Sequence, residues 1–241
     1  MNKLFFNIKR KIYKLFHPQW GEILMLHRIV PAYNPQSKNA HLEITPEFLE
    51  QTIVKYQKKG YLCVTLEQVK EQVLKGKHFH KKFVCFTFDD GFADNFELAY
   101  PIFKTHNCPF TIFVTVGFLD NFATANWYKE QPKMLSMEQL TKLSNEPLCT
   151  IGSHTLTHPH LTELDFEAQK REILLSKQIL EQWTGKPITH FAYPYGDYNE
   201  QLMQIVESCG YQTAVLCNGN YVRRGQSVFA LKRKILSMNS H

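Results

Sequence analysis

The chain has 241 residues, of which 44% are hydrophobic and 21% charged, and its formal net charge is +6. This length and composition suit one packed domain rather than a disordered or fibrous chain. No window approaches the ~18 consecutive apolar residues of a membrane-spanning helix, and the six cysteines include no CxxC pair. The sequence therefore predicts neither a transmembrane helix nor a disulfide framework.

Residues 1–20 form a segment of their own. Its first part, MNKLFFNIKRKIYKLF, carries five basic and no acidic residues, and its apolar residues recur near helical spacing. This pattern predicts a basic amphipathic helix that either packs on the domain or contacts an anionic membrane surface. A secretory cleavage pattern is missing. We therefore expect a cytoplasmic protein, peripheral to the inner face of the membrane, with no nucleic-acid partner, because the remaining basic residues are interspersed with acidic ones.

Residues 21–241 alternate short apolar runs with helical patterns, which predicts a single α/β domain. The predicted strands are 23–26, 61–65, 83–88, 110–116, 148–152, 190–193, 213–217 and 228–235. The predicted helices are 45–59, 66–75, 95–105, 136–143, 165–183 and 199–208. Alternation of this kind indicates parallel strands joined by crossovers, so we expect a distorted (β/α) barrel of about seven or eight parallel strands. In such a barrel, reactive residues gather at the C-terminal ends of the strands.

The first predicted strand, EILMLHRIV, ends in a histidine. His27 is either a buried histidine with a hydrogen-bond partner or a group that the strand delivers to a reactive site. The strand taken alone favours the first interpretation.

Two adjacent carboxylates, Asp89 and Asp90, follow the apolar run FVCFTF. They repel each other and are desolvated unless a positive charge lies nearby. One interpretation is a helix N-cap, but Asp94 or Asn95 already serves that purpose. A metal ion would relieve the repulsion, with one carboxylate as its ligand and the other available as a base.

The segment CTIGSHTLTHPHL places His154 and His158 four residues apart after another strand. This spacing puts two imidazoles on one face of a helical turn, which can hold a divalent ion. We leave His160 out of this set because Pro159 interrupts the local geometry. The histidine pair alone is weak evidence for a metal site. Two histidines and an aspartate that leave coordination positions open are, however, typical of a catalytic metal.

The third segment is HFAYPYGDYN, in which Pro194 restricts the backbone around Tyr195. It is either a plain strand-to-helix turn or a turn whose backbone N–H points at a reacting carbonyl oxygen. Sequence physics alone favours the plain turn.

Together, TFDDG, SHTLTH and FAYPYG resemble the polysaccharide deacetylase family, carbohydrate esterase family 4 with the NodB homology domain. The motifs occur in the family's order and span about half of the chain. The resemblance implies that Asp90, His154 and His158 bind a divalent metal, most often Zn²⁺. It also implies that Asp89 is the base and that the N–H of Tyr195 holds the oxyanion.

The family's usual proton donor, a histidine on a late strand, is missing from the end of this chain. The early strand ILMLH has the same character, and some exopolysaccharide deacetylases of the family are circularly permuted in this way. The resemblance therefore implies that His27 is the general acid. The third motif has Ala192 in place of the arginine that usually supports the catalytic aspartate, and Arg233 either replaces that arginine or lies on the surface.

The family's tryptophan-containing motif is also not evident. Trp183 ends a long helix and is expected in the core. The pair Trp127 and Tyr128 forms either a sugar-stacking wall or a loop anchored by buried aromatic residues.

The predicted function is metal-dependent hydrolysis of the N-acetyl group of an amino sugar in a polysaccharide or glycan precursor. Two alternatives remain: a metal-dependent hydrolase of a non-sugar amide or O-acetyl ester, and a non-catalytic carbohydrate-binding descendant. Retention of all four polar site residues argues against the non-catalytic alternative.

Overall fold

The computed structural model describes residues 21–75, 82–121, 125, 128, 131–219, 221–223 and 225–239. The amphipathic helix predicted within residues 1–20 lies outside these ranges and stays a prediction. Every helix in the described ranges is too short or too polar to cross a lipid bilayer. All six cysteines lie in the described ranges and are free thiols.

The strands and helices follow one another along the chain much as the apolar pattern predicts. The strands are β1 Gly21–Leu26, β2 Arg28–Ile29, β3 Glu43–Ile44, β4 Leu62–Cys63, β5 Phe83–Phe88, β6 Phe110–Val114, β7 Cys149–Ser153, β8 His190–Ala192, β9 Thr213–Val215 and β10 Lys234–Ile235. The helices are α1 Pro46–Lys58, α2 Leu66–Lys75, α3 Tyr100–Thr105, α4 Met137–Asn145, α5 Phe166–Thr184 and α6 Glu200–Ser208. Short 3₁₀ turns cover Ala40–Leu42, Val116–Asn121, Leu161–Glu163 and Pro194–Gly196.

The main sheet has eight strands, and every pairing among them is parallel. Its order is β10-β1-β5-β6-β7-β8-β9, with β4 paired to the first residues of β5. The helices cover the outside of this curled sheet, so the predicted distorted (β/α) barrel is confirmed. Strand β1 pairs with β5 along its whole length, from Gly21 opposite Phe83 to Leu26 opposite Phe88.

The last segment of the chain joins the two edges of the sheet. The N–H of Leu231 donates to the carbonyl of Ala214 on β9, at 2.9 Å, and a few residues later Leu236 donates to Met25 on β1, also at 2.9 Å. The predicted strand 228–235 is therefore correct only for β10. Residues 228–233 are not a strand because the chain crosses there from one edge of the barrel to the other.

Two apolar clusters lie on the two faces of the sheet. Leu24 and Leu26 of β1 belong to the larger cluster under the helices, whereas Ile23 belongs to a second cluster that includes Phe113. This alternation along β1 follows from the pleat of a strand. Gly152 of β7 meets the second cluster so closely that a Cβ there would lie 2.5 Å from the Phe113 ring.

The predicted helix starts are confirmed at three places. Thr45 accepts a hydrogen bond from the N–H of Phe48 at the start of α1, and Asn199 accepts one from Leu202 at the start of α6. Ser136 forms a reciprocal capping box with Gln139 at the start of α4. Side-chain acceptors of this kind satisfy N–H groups that have no partner within the helix.

The predicted helix 95–105 differs from the structure. Asn95–Ala99 forms a π-helical turn, and the α-helix begins only at Tyr100, just before a proline that has no N–H to donate. Asp94 occupies the N-cap position but makes no side-chain capping bond. The expectation that Asp94 or Asn95 caps the helix is therefore wrong, because both side chains turn toward β1 and β2.

Trp183 was expected in the core, but 37% of its surface is exposed. Trp127 lies outside the described residues. Tyr128 is buried, with its ring 5.6 Å from that of Phe92, which favours the anchored loop over an exposed stacking wall for this tyrosine.

Candidate active site

A cavity of about 350 Å³ opens at the C-terminal ends of the parallel strands. It is lined by Met25, His27, Asn39, His41, Leu42, Asp89, Asp90, His154, His158, Tyr195, Cys217 and Ile235. Six of the seven predicted site residues line this one cavity, and the seventh, Arg233, lies directly behind Asp89. Parallel strands that all end at the same face explain why residues so distant in sequence meet here.

Asp90, His154 and His158 lie together in the lining of this cavity. One potential ligand atom from each lies within 4.8 Å of the other two, and all three side chains are buried. Asp90 Oδ1 is 3.6 Å from Nε2 of His154 and 3.4 Å from Nε2 of His158.

The two imidazoles do not lie on a helical turn, so that part of the sequence argument is wrong. Residues 154–160 form an irregular loop in which Thr155 and His158 adopt φ angles of 69° and 63°. L-residues other than glycine rarely adopt this left-handed conformation, which here turns the second histidine back toward the first.

The donor set fits a divalent cation. The imidazole of His154 places Nδ1 2.9 Å from the carbonyl of Ala192, so Nδ1 carries the proton and Nε2 is left free as a ligand. Asp90 Oδ1 is buried and has no hydrogen-bond partner among the described residues. A buried carboxylate oxygen without a donor, facing two imidazole nitrogens, forms a suitable binding site for a positive ion.

The pKa shifts of these three side chains agree with a site for a cation. Burial, followed by the charge of Asp89, raises the pKa of Asp90 well above its usual range. Burial, followed by His154, lowers the pKa of His158 to about 2, and burial lowers the pKa of His154 as well. The two histidines are therefore neutral, as metal ligands must be, and they do not compensate the carboxylate by protonation.

Asp89 lies beside this candidate metal site, and its carboxylate is bound by Arg233. Nη1 and Nη2 of Arg233 donate to the two carboxylate oxygens at 2.6 Å each, and Nε donates to the carbonyl of Leu216 at 2.8 Å. Both side chains are almost completely buried. Burial would raise the pKa of Asp89, but the Arg233 guanidinium in particular holds it at about 2. Asp89 is therefore ionised at neutral pH.

The turn at Tyr195 has an unusual backbone. Tyr195 adopts φ 59°, and its ring stacks on His160 with a centroid distance of 3.8 Å. The same ring meets His158 edge-on at 4.7 Å. His160 in turn places Nδ1 2.7 Å from Asp197 Oδ2. His160 thus lies outside the candidate metal trio, as expected, but next to the turn.

His27 directly follows β1 and lines the same cavity as His154 and His158, which belong to the loop of residues 154–160, here called the histidine loop. Its Nδ1 is buried and has no hydrogen-bond partner among the described residues. Burial, partly opposed by the charge of Asp89, lowers the pKa of His27 to about 4. The imidazole is therefore neutral at pH 7.

Sequence reasoning missed the residues that hold the histidine loop in place. The carboxylate of Glu172, a buried residue of α5, accepts hydrogen bonds from the N–H groups of Leu156 and Thr157 and from the Thr157 hydroxyl, at 2.8–3.0 Å. A buried glutamate inside an amphipathic helix was the available signal, because such a carboxylate needs donors.

The fold thus brings a donor set that could hold a divalent ion to the end of a parallel barrel, an arrangement suited to a metal-dependent hydrolase. The sequence profile of the family described as polysaccharide deacetylase matches residues 76–214, more than half of the chain. The chain belongs to this family.

Known proteins extend the match beyond that region. YxkH of Bacillus subtilis (strain 168), which is named for the same family, is 28% identical over 211 residues, covering 88% of this chain and 69% of its own. A peptidoglycan-N-acetylglucosamine deacetylase of Bacillus cereus is 25% identical over 137 residues, covering 56% of this chain and 57% of its own. The structure of the Streptococcus pyogenes deacetylase PplD in complex with acetate superposes with a TM-score of 0.80 at 27% identity, covering 90% of this chain and 92% of that one.

The chain is accordingly a carbohydrate deacetylase that removes the acetyl group of an N-acetylated sugar. Divalent-metal dependence is general in the family, and the trio of Asp90, His154 and His158 could hold the ion. The position of β1 agrees with the permuted type, because the strand that ends in His27 comes first in the chain and still pairs with β5.

Proposed function

We propose that this enzyme hydrolyses the N-acetyl group of an amino sugar with Asp89 as the base, His27 as the proton donor and the N–H of Tyr195 as an oxyanion donor. The observation that carries the proposal is the meeting of an Asp-His-His trio, an ionised Asp89–Arg233 pair and an unpartnered His27 nitrogen in one cavity. Nothing in a purely binding site requires a second buried carboxylate beside the trio.

The residues present fit a divalent ion, and we propose zinc, held by Asp90, His154 and His158. Two imidazoles and a carboxylate are a usual zinc set that leaves a position open for substrate. When bound, such an ion lowers the pKa of a water molecule and polarises the acetyl carbonyl.

Asp89 takes the proton of the attacking water. Arg233 keeps the carboxylate ionised at neutral pH and fixes both oxygens, so Asp89 enters the reaction as an acceptor in one orientation. The new bond joins the water oxygen to the acetyl carbon, and the N–H of Tyr195 donates to the oxygen that becomes negative.

The leaving amine then needs a proton as the carbon–nitrogen bond breaks. His27 lines the same cavity as the trio and supplies that proton, giving acetate and a free amino sugar. Burial lowers the pKa of His27, and the negative charge that develops on the substrate favours protonation of a neighbouring imidazole.

The first prediction separates these roles by substitution. Asp89→Asn should retain bound metal but lose at least about a hundredfold in acetate release, because general-base catalysis is worth roughly 10²–10⁴. Asp90→Ala and His154→Ala should lose both metal and activity. Acetate release would be measured on N-acetylhexosamine oligomers, with metal content measured on the same samples and zinc, cobalt and manganese tested after chelation.

Glu163→Gln is the matched control, since this carboxylate is exposed near the same face of the barrel. It should retain full activity and metal content. Full activity in Asp89→Asn would contradict the assignment of the base, and strong metal binding by Asp90→Ala would contradict the assignment of the trio.

We also propose, from the charge pattern of residues 1–20 alone, a peripheral contact with the inner face of an anionic membrane. Co-sedimentation with anionic vesicles at low salt tests this contact, and a protein that stays in the supernatant would refute it.

A further inference from the structure

Two side chains that follow Asp89 and Asp90 in sequence hold the backbone at His27 and just after it. Asn95 Nδ2 donates to the carbonyl oxygen of His27 at 2.8 Å. Asp94 Oδ1 accepts from the N–H of Ile29 at 3.0 Å, and Asn95 Nδ2 also lies 3.1 Å from that oxygen. The segment that carries Asp89 and Asp90 is thus bonded directly to the segment that carries His27.

Arg28 completes this connection. Its Nε donates to Asp94 Oδ2 at 2.9 Å, and its guanidinium carbon lies 5.5 Å and 5.6 Å from the ring centroids of Phe92 and Tyr128. Asp94 is buried, so its charge needs these donors. We call Arg28, Asp94 and Asn95 the β1 clamp.

The clamp replaces an interaction that catalytic histidines usually make through the ring. A histidine that moves protons is commonly oriented by a carboxylate or carbonyl on its second nitrogen. In His27 that nitrogen, Nδ1, is buried without a hydrogen-bond partner among the described residues. The position of the imidazole therefore depends on its backbone, and the described bonds that fix this backbone come from the clamp and from the pairing of β1.

The local structure after Asp90 is also arranged for this contact. Asp94 stands at the N-cap of the following helical segment without capping it, and Asn95 opens a π-helical turn. Both polar side chains are directed across to β1 and β2 instead. π-helical turns occur frequently at functional sites.

We propose that Asp94 and Asn95 are positioning residues that set the place of the His27 imidazole relative to Asp89 and Asp90. Protonation of the leaving amine then depends on the clamp, whereas metal binding and attack by water do not. This inference rests on the proposed role of His27.

The test compares two substrates that differ in their need for a proton. An N-acetylglucosamine oligomer releases an amine that must be protonated, whereas 4-nitrophenyl acetate releases a phenolate that needs no proton. Asn95→Leu keeps the size of the side chain and removes the donor to His27. It should lower kcat on the oligomer by about tenfold or more, because a displacement of 1 Å can cost roughly 10²-fold. Turnover of the ester, KM and metal content should stay within about twofold.

Asp94→Asn is a second variant, which keeps shape and the acceptor for Ile29 but removes the charge that Arg28 bonds. It should show the same selective loss on the oligomer. Glu97→Gln, on an exposed side chain of the same π-helical turn, is the control and should change neither substrate. Equal losses on both substrates in the clamp variants would overturn the proposal, as would no loss on the oligomer.

A double-mutant cycle with His27→Ala gives the decisive result. If the clamp acts through His27, Asn95→Leu should have almost no further effect on the oligomer once His27 is removed. A further tenfold loss in that background would overturn the proposal. Unchanged turnover of the oligomer in His27→Ala alone would instead refute the general-acid assignment, so the two failures are distinguishable.

Discussion

Arg233 reaches Asp89 from a segment 144 residues further along the chain and binds both of its oxygens. Nη1 also donates to the hydroxyl of Thr87 at 3.0 Å, so the guanidinium is held in one plane behind the carboxylate. Two parallel bonds orient a carboxylate in a way that one ammonium group cannot. The arginine therefore sets both the charge and the direction of the proposed base.

At this residue scale we predict that Arg233→Lys lowers kcat/KM about tenfold to a hundredfold with little loss of metal. The acid limb of the pH–rate profile should move to higher pH. The sign follows from Asp89: the arginine lowers its pKa against the effect of burial, so a weaker partner lets that pKa rise. Kinetics from pH 4 to 9 would measure both effects.

Arg233→Met is the harsher variant. It leaves Asp89 buried without a partner and should reduce the free energy of unfolding by about 3–5 kcal/mol. Lys232→Met, on the exposed neighbour, is the control for both variants. An unchanged acid limb in Arg233→Lys would show that the arginine does not tune Asp89.

At the scale of elements, the histidine loop depends on α5. The loop between β7 and α5 contains two residues in left-handed conformation, Thr155 and His158, which a free loop would not maintain. The carboxylate of Glu172 accepts three bonds from Leu156 and Thr157. The Thr155 hydroxyl also accepts from the N–H of His158 at 2.9 Å, which braces the turn from inside.

We predict that Glu172→Gln weakens metal binding by about tenfold to a hundredfold, although Glu172 is not itself a ligand. An amide is uncharged and has one acceptor oxygen, so it cannot accept from both N–H groups and from the Thr157 hydroxyl as the carboxylate does, and residues that support ligands typically contribute this much to affinity. Metal titration against a competing chelator would measure the change. Glu167→Gln, on an exposed position of the same helix, should leave affinity unchanged, and equal affinity in both variants would contradict this role for Glu172.

At the scale of the whole molecule, the barrel keeps His27 in place despite the order of the strands along the chain. Strand β1 lies between β5, which leads to Asp89, and β10, which follows Arg233. Because the pairing is parallel, the C-terminal end of β1 reaches the same face whether the strand comes first or last in the chain.

The barrel also buries several neutral histidines, which should make the molecule sensitive to acid. His190 on β8 is buried with Nδ1 2.8 Å from the Thr213 hydroxyl, and burial lowers its pKa to about 4. In the unfolded chain His190 takes up a proton near pH 6.5, whereas in the folded protein it takes up that proton only near pH 4. Stability from this group is therefore present above pH 6.5 and is lost as pH falls toward 4.

We predict that His190→Gln makes the free energy of unfolding depend less on pH between 6.5 and 4. Its loss of stability between pH 6.5 and 4 should be smaller than that of the wild type by an amount on the order of 3 kcal/mol. Urea unfolding at several pH values would measure the slope, and any constant cost of the substitution cancels. Parallel curves would contradict the burial of a neutral histidine at this position.

Local sequence was sufficient for much of the fold and for choosing the three residues that meet as a candidate metal site. Apolar runs and capping residues such as Thr45, Ser136 and Asn199 placed most strands and helix starts, because these signals act within a few residues. Asp90 and His154 stand within two residues of the ends of β5 and β7, where a parallel fold concentrates reactive groups.

Only the tertiary structure decided how those groups are supported. The bonds from Arg233 to Asp89, from Glu172 to the histidine loop and from Asn95 to His27 join residues that are distant in sequence. No local pattern encodes such bonds, because they depend on which strands and helices become neighbours when the chain folds. The left-handed turn at His158 and the crossing at residues 228–233 follow from the same long-range packing, which overrides local preference.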